Sequence, residues 1–190
     1  GPVRVHASIS AVVQFLPDDL GRFVRENADD YGIDPARIGA IGFSAGGHLV
    51  TMAGAFAESD NELAKLGIDV KVSLRPDFVM AIYPVVSMRD DIANKWSRKS
   101  LLGKNMSEER KERFSMEKQI PSTMPPTYIL ACRDDPVVKF ENSRLLYAAL
   151  KAKNIPCRFA QYETGGHGFG MLEGAFMKKT HWNEDIEAWL

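Results

Sequence analysis

Apolar residues recur along the chain in short blocks set between polar or helix-periodic stretches, an alternation that predicts strands and helices in turn. Arg37 to Ile41 reads as a strand, and the segment after it, with Leu49, Val50, Ala53 and Phe56 at helical spacing, reads as a helix. Phe78 to Tyr83 and Tyr128 to Cys132 read as buried strands, and Cys157 to Tyr162 as the last strand. Glu141 to Lys153 places Leu146, Ala149 and Leu150 on one helical face and supplies the crossover that a parallel pair requires. Ahead of the first strand, Asp18 or Asp19 is expected to cap a helix carrying Leu20, Phe23, Val24 and Tyr31 on one stripe, with Gly32 ending it. A final helix from about Thr180 to Leu190 presents Trp182, Ile186 and Trp189 to the core. Strand and helix in alternation mean an α/β fold with a largely parallel sheet flanked by helices.

Ser87 to Ser122 breaks this rhythm. It is polar and charged, with a short helix expected from Ser107 to Phe114. Within a single domain spanning 1–190, an insertion at 87–122 on the carboxyl edge of the sheet is expected to form a small cap, with Met88, Trp96, Met106 and Met116 as candidates either to line it or merely to anchor a long surface connection.

The chemistry-bearing stretch is Gly42-Phe43-Ser44-Ala45-Gly46-Gly47-His48-Leu49, at the junction of the first strand and its helix. A G-x-S-x-G pentapeptide there forces a sharp turn, with small residues expected at Gly42 and Gly46, and lifts the serine above the sheet. Ser44 is the candidate nucleophile. Ala45, opening the helix, offers its backbone N–H to a developing oxyanion. A serine needs a base and a residue that orients the base, following on this architecture in the order Ser, acid, His. His167 lies in the glycine-rich run Thr164 to Gly170, just past the last strand, and Arg133-Asp134-Asp135-Pro136-Val137-Val138 follows the strand before it. Asp135 is the favoured acid, because Pro136 sets the turn and Val137 and Val138 return the chain to the core; Asp134 then serves the turn or supports the site from behind the acid. His48 is expected to pack or hydrogen-bond locally, and His6 and His181 have no partner the sequence reveals.

The chain resembles an α/β-hydrolase, and more narrowly the esterase branch that includes bacterial acetyl xylan esterases and other carbohydrate esterases. The resemblance runs from Tyr31-Gly32-Ile33-Asp34-Pro35 through Gly42 to Leu49, Arg75-Pro76-Asp77-Phe78, Ile82 to Met88, Leu101-Leu102-Gly103, Pro125-Pro126-Thr127, Asp134-Asp135, Glu141-Asn142-Ser143 and Gly165 to Gly170. It implies the triad roles for Ser44, Asp135 and His167, an oxyanion role for the Ala45 amide, a secreted or periplasmic location, and no metal or organic cofactor. One departure stands out. Such enzymes carry a His-Gly-Gly type loop and several strands upstream of the elbow, whereas the 43 residues before Ser44 contain no Gly-Gly pair and one histidine, His6. Three accounts stay open: an N-terminally shortened chain, a second chain completing the site, or His6-Ala7-Ser8 as a divergent oxyanion loop.

Composition narrows the partners. Twenty-four basic and 25 acidic residues are interspersed, for a net charge of -1, so no basic face points to nucleic acid or an anionic membrane. No run approaches the roughly 18 apolar residues of a membrane span, and no signal-peptide pattern opens the chain. Cys132 and Cys157 fall on predicted strands, outside any metal-ligand spacing. The expected activity is hydrolysis of short acyl esters, acetyl above all, on xylan or another carbohydrate. The alternatives are a peptidase or amidase on the same scaffold, or a silent hydrolase fragment acting in binding or assembly, paired with a second copy along an exposed sheet edge.

Overall fold

Four short apolar runs become four parallel strands lying side by side in chain order: β1 Gly39–Phe43, β2 Phe78–Ile82, β3 Thr127–Cys132 and β4 Cys157–Tyr162. The computed structural model describes residues 15–57, 59, 63, 67–104, 106–171 and 173–190, with 15–18 in backbone only. Gly42 lies opposite Ala81, Ala81 opposite Ile129, and Ile129 opposite Phe159. All six residues of β3 are buried, as expected of a central parallel strand covered on both faces. On β4, by contrast, Arg158 and Gln161 reach solvent, which marks it as an outer strand of the sheet.

Alternation along the strands divides the core. Val79, Ala81 and Ile129 face α2 (Ala45–Phe56) and α5 (Glu141–Ala152), where Met52, Ala55, Leu146 and Leu150 meet them. Met80, Ile82, Tyr128 and Leu130 face the other way, against Trp182 and Ile186 of α7 (Trp182–Trp189). Each aliphatic side chain fully buried here contributes about 1.5–3 kcal/mol. Tyr128 Oη also donates to Asp185 Oδ2 at 2.6 Å, tying α7 to the sheet.

Several expected boundaries shift. α1 runs Phe15–Glu26, so Asp18 and Asp19 sit inside its first turns, where neither acts as cap; Pro17 in the first turn needs no N–H, and Asp19 pairs with Arg22 at 2.8 Å. That helix stops well before Gly32, which takes φ +62° in a later turn, and Phe23 and Tyr31 are exposed rather than buried on a stripe. The expected final helix is α7, and a short helix that was not expected, α6 (Ala175–Thr180), precedes it, the two joined at His181, a left-handed residue. Within 87–122, α3 (Lys95–Leu102) was not expected; Asn94 caps it, its Oδ1 accepting from Ser97 N. The expected short helix is α4 (Glu108–Arg113), capped by Ser107. Met88 and Met116 are buried in the packed core, Met106 packs beside Met88, and Trp96 is 69% exposed, so of the two roles open to them the methionines take the anchoring one.

Candidate active site

Ser44, Tyr83, Asp135 and His167 each follow the carboxyl end of one strand, β1 to β4 in order, so a parallel sheet brings four remote residues to one edge. Ser44 takes φ 55° and ψ −118°, a conformation that side-chain-bearing residues rarely adopt and that costs about 1–3 kcal/mol. Three backbone hydrogen bonds of 3.0 Å offset that cost: Ser44 N donates to Ile82 O, and Ser44 O accepts from Gly47 N and Val85 N. A Cβ on Gly42 would lie 2.0 Å from Gly46 O, and one on Gly47 2.5 Å from the Pro84 side chain. Clearance is therefore required at Gly42, as expected, and also at Gly47, with Gly46 supplying the carbonyl that crowds Gly42.

His167 Nε2 lies 2.9 Å from Ser44 Oγ, and its Nδ1 lies 2.6 Å from Asp135 Oδ2. With Nδ1–H donating to the carboxylate, Nε2 holds a lone pair toward the serine hydroxyl. The Asp135 side chain is 2% exposed, and its other oxygen, Oδ1, accepts from Val137 N at 2.8 Å and Val138 N at 2.9 Å. Those two bonds lock the carboxylate, and they come from the turn that Pro136 starts. Asp134 faces elsewhere, Oδ1 accepting from Gly166 N at 2.8 Å and Oδ2 from Gly165 N at 3.2 Å, so it holds the first half of the histidine loop. Ala45 begins α2 beside Ser44, and its N–H is among those a helix start leaves without an intrahelical partner. His6-Ala7-Ser8 lies outside the described residues.

Sequence reasoning missed Tyr83. Its ring centroid lies 4.5 Å from that of His167, and its hydroxyl accepts from Gly170 N at 3.1 Å. Only its place at a strand's carboxyl end signals it in the sequence. Asn142, quoted above only within the resemblance, is fully buried, its Oδ1 accepting from Val86 N and Ser87 N at 3.0 Å each. Segment 87–122 is stitched to the acid loop by Asn94 Nδ2 donating to Val137 O and Lys139 Nζ to Asp91 O. His48 is buried in α2, its Nε2–H donating to Phe114 O at 2.8 Å, and burial pushes its pKa down to about 4. His181 pairs with Glu184 at 3.0 Å, away from the site. Burial lifts the Cys132 thiol to about 12, an inert group under the histidine loop. Among the described residues no group of three or more His, Cys, Asp or Glu is arranged to hold a metal, and no helix is long and apolar enough to cross a membrane.

The family model described as BD-FAE matches residues 9–150, from before α1 into α5. The chain belongs to the BD-FAE family. This BD-FAE chain is 35% identical over 156 residues to a protein named endo-1,4-beta-xylanase B of Butyrivibrio fibrisolvens, covering 82% of this chain and 24% of that protein. It is 31% identical over 153 residues to an acetylxylan esterase of Xylanibacter ruminicola, covering 78% of this chain and 29% of that one. The chain thus spans about a quarter of the length of the curated relatives it matches. Among solved structures it is similar to an acetyl ester-xyloside bifunctional hydrolase from Caldicellulosiruptor lactoaceticus, with TM-score 0.81 and 32% identity, covering 93% of this chain and 64% of that one. A carboxylesterase structure from Lactobacillus plantarum, at TM-score 0.71 and 24% identity over 93% of this chain and 66% of that one, shares the fold. The BD-FAE chain has an α/β-hydrolase fold, its parallel sheet flanked by helices.

Proposed function

We propose that this chain carries the catalytic site of a serine carboxylic ester hydrolase acting on short acyl esters, acetyl groups on xylan or a related carbohydrate above all. The observation that carries the reading is the hydrogen-bonded row from Asp135 through His167 to Ser44. Ser44 Oγ attacks the ester carbonyl as its proton passes to His167 Nε2. Asp135 stabilises the imidazolium so formed, and the Ala45 N–H faces the oxyanion. The same nitrogen then gives the proton to the departing alkoxide, leaving acyl-Ser44; water, losing a proton to that nitrogen, releases the carboxylic acid. The acetyl and carbohydrate part of the reading rests on the names of the relatives, one an acetylxylan esterase and one an acetyl ester-xyloside hydrolase. Segment 87–122, tied to the acid loop, is the part we read as a cap shaping the pocket. No cofactor is called for.

The test is p-nitrophenol release from acetyl, butyryl and octanoyl esters by the 190-residue chain beside Ser44→Ala. Turnover of the acetyl ester is expected to exceed that of the longer esters and to vanish in Ser44→Ala; equal rates for the two proteins overturn the assignment.

A second reading concerns assembly. β1 ends the sheet, with no strand on its outer side among the described residues, and pairing of a second copy along that edge would cover its free backbone groups.

A further inference from the structure

We infer that Tyr83 is the positioning residue for His167, holding the imidazole by ring contact and by the far end of its loop. This rests on the esterase reading for its chemistry, though its geometry stands without it. The two ring centroids lie 4.5 Å apart with planes tilted at 53°, so the phenol packs directly on the imidazole. Phe169 meets the same phenol edge-on at 4.6 Å, clamping it against the histidine loop. The hydroxyl accepts from Gly170 N at 3.1 Å, three residues beyond His167. Asp134 meanwhile holds Gly165 N and Gly166 N, just before His167. A loop with four glycines at positive φ has no rigidity of its own, and these two side chains fix it on either side of the base.

The backbone of Tyr83 supports the same reading. It takes φ 38°, unusual for an aromatic residue, and is pinned there by its N–H donating to Leu130 O at 2.6 Å. An extended Tyr83 would project its side chain perpendicular to the sheet, as residues within a strand do. Burial also raises the pKa of the phenol, so it remains neutral across the working range. When His167 takes the Ser44 proton, the cation forms within about 6 Å of an aromatic ring, the range of cation–π attraction. The ring therefore favours the protonated base that must next deliver its proton to the alkoxide.

The leaving group exposes this role. p-Nitrophenolate departs with little help, whereas ethoxide needs the proton from Nε2, so a misplaced or poorly stabilised imidazolium harms ethyl acetate more than p-nitrophenyl acetate. Tyr83→Phe keeps the ring and removes the acceptor for Gly170 N; Tyr83→Leu removes both. On ethyl acetate, kcat is expected to fall about fivefold in Tyr83→Phe and about thirtyfold or more in Tyr83→Leu, with KM within about twofold and a loss on p-nitrophenyl acetate at least threefold smaller. A variant that merely folded poorly would lose both activities in the same ratio. The low-field NMR resonance of the proton between His167 Nδ1 and Asp135, assigned by its loss in His167→Asn, gives a readout that needs no turnover. Its exchange with solvent is expected to quicken at least about threefold in Tyr83→Phe, the decisive variant should Tyr83→Leu fail to fold. An exchange rate and a leaving-group ratio in Tyr83→Phe both within twofold of the unchanged chain overturn the inference. If the chain hydrolyses no ester, the esterase reading fails by itself and the exchange rate alone decides on Tyr83.

Discussion

At the scale of single residues, Asp134 and Asp135 are neighbours of one type whose surroundings separate them. Asp135 gives one oxygen to His167 and the other to two amides of its own turn, so it touches the imidazole and cannot swing away. Asp134 touches only the amides of Gly165 and Gly166. Asp135→Asn replaces an acceptor by a group that can donate to Nδ1, which favours the wrong imidazole tautomer. It is expected to lower kcat on an acetyl ester by about 10⁴-fold. Asp134→Asn keeps one carbonyl acceptor for the loop amides and should cost no more than about tenfold. Steady-state kinetics on the two variants checks the order, and a larger loss in Asp134→Asn would move the acid role to that residue. Two adjacent carboxylates in the sequence carry almost no information on which one faces the histidine; Pro136 and the valines after it did, because they set where the turn points.

At the scale of elements, α2 has two tasks that meet in His48. Its first turn closes on the elbow, and one turn in, the buried imidazole reaches across to Phe114 O, at the end of α4. The ring is neutral when folded because burial lowers its pKa from 6.5 to about 4. Between these values the unfolded chain binds the proton and the folded chain does not, so stability falls as pH drops from 6.5 toward 4 and changes little from this source above 6.5. The full effect is of order 3 kcal/mol. Urea denaturation at pH 7 and pH 4.5 should show this loss, and His48→Gln, able to donate to the same carbonyl, should show a smaller loss between the same two pH values. An equal loss in both proteins would place the acid sensitivity elsewhere. The elements themselves were unequally legible. β3 and α5 follow from apolar runs and helical spacing, whereas α3, Lys-Trp-Ser-Arg-Lys-Ser-Leu-Leu, buries only Leu102 and so carries no apolar period to read. α1 was placed too late because Asp18 and Asp19 are residue types that cap helices, whereas here they lie inside one that Pro17, acceptable in a first turn, does not interrupt.

At the scale of the whole molecule, a four-stranded parallel sheet covered by α2 and α5 on one face and α7 on the other leaves its functional groups along one edge. Among the described residues it also leaves β1 at the end of the sheet. If a second copy pairs there, sedimentation of the 190-residue chain should give a two-chain mass at micromolar concentration; a single-chain mass across the range would remove the second reading.

Local pattern was sufficient for what depends on neighbours in the chain: the alternation of strands and helices, the glycine-bounded turn at Ser44, and the turn chemistry after Asp135. These follow from period, sterics and backbone preference within a few residues. Contacts between distant segments are set by strand order and register, which no short window contains. The tertiary packing placed Tyr83 against His167, brought Asp134 to the amides of the glycine loop, buried Met88 and Met116 in the core, and brought Asn142 beneath the Val86 and Ser87 amides.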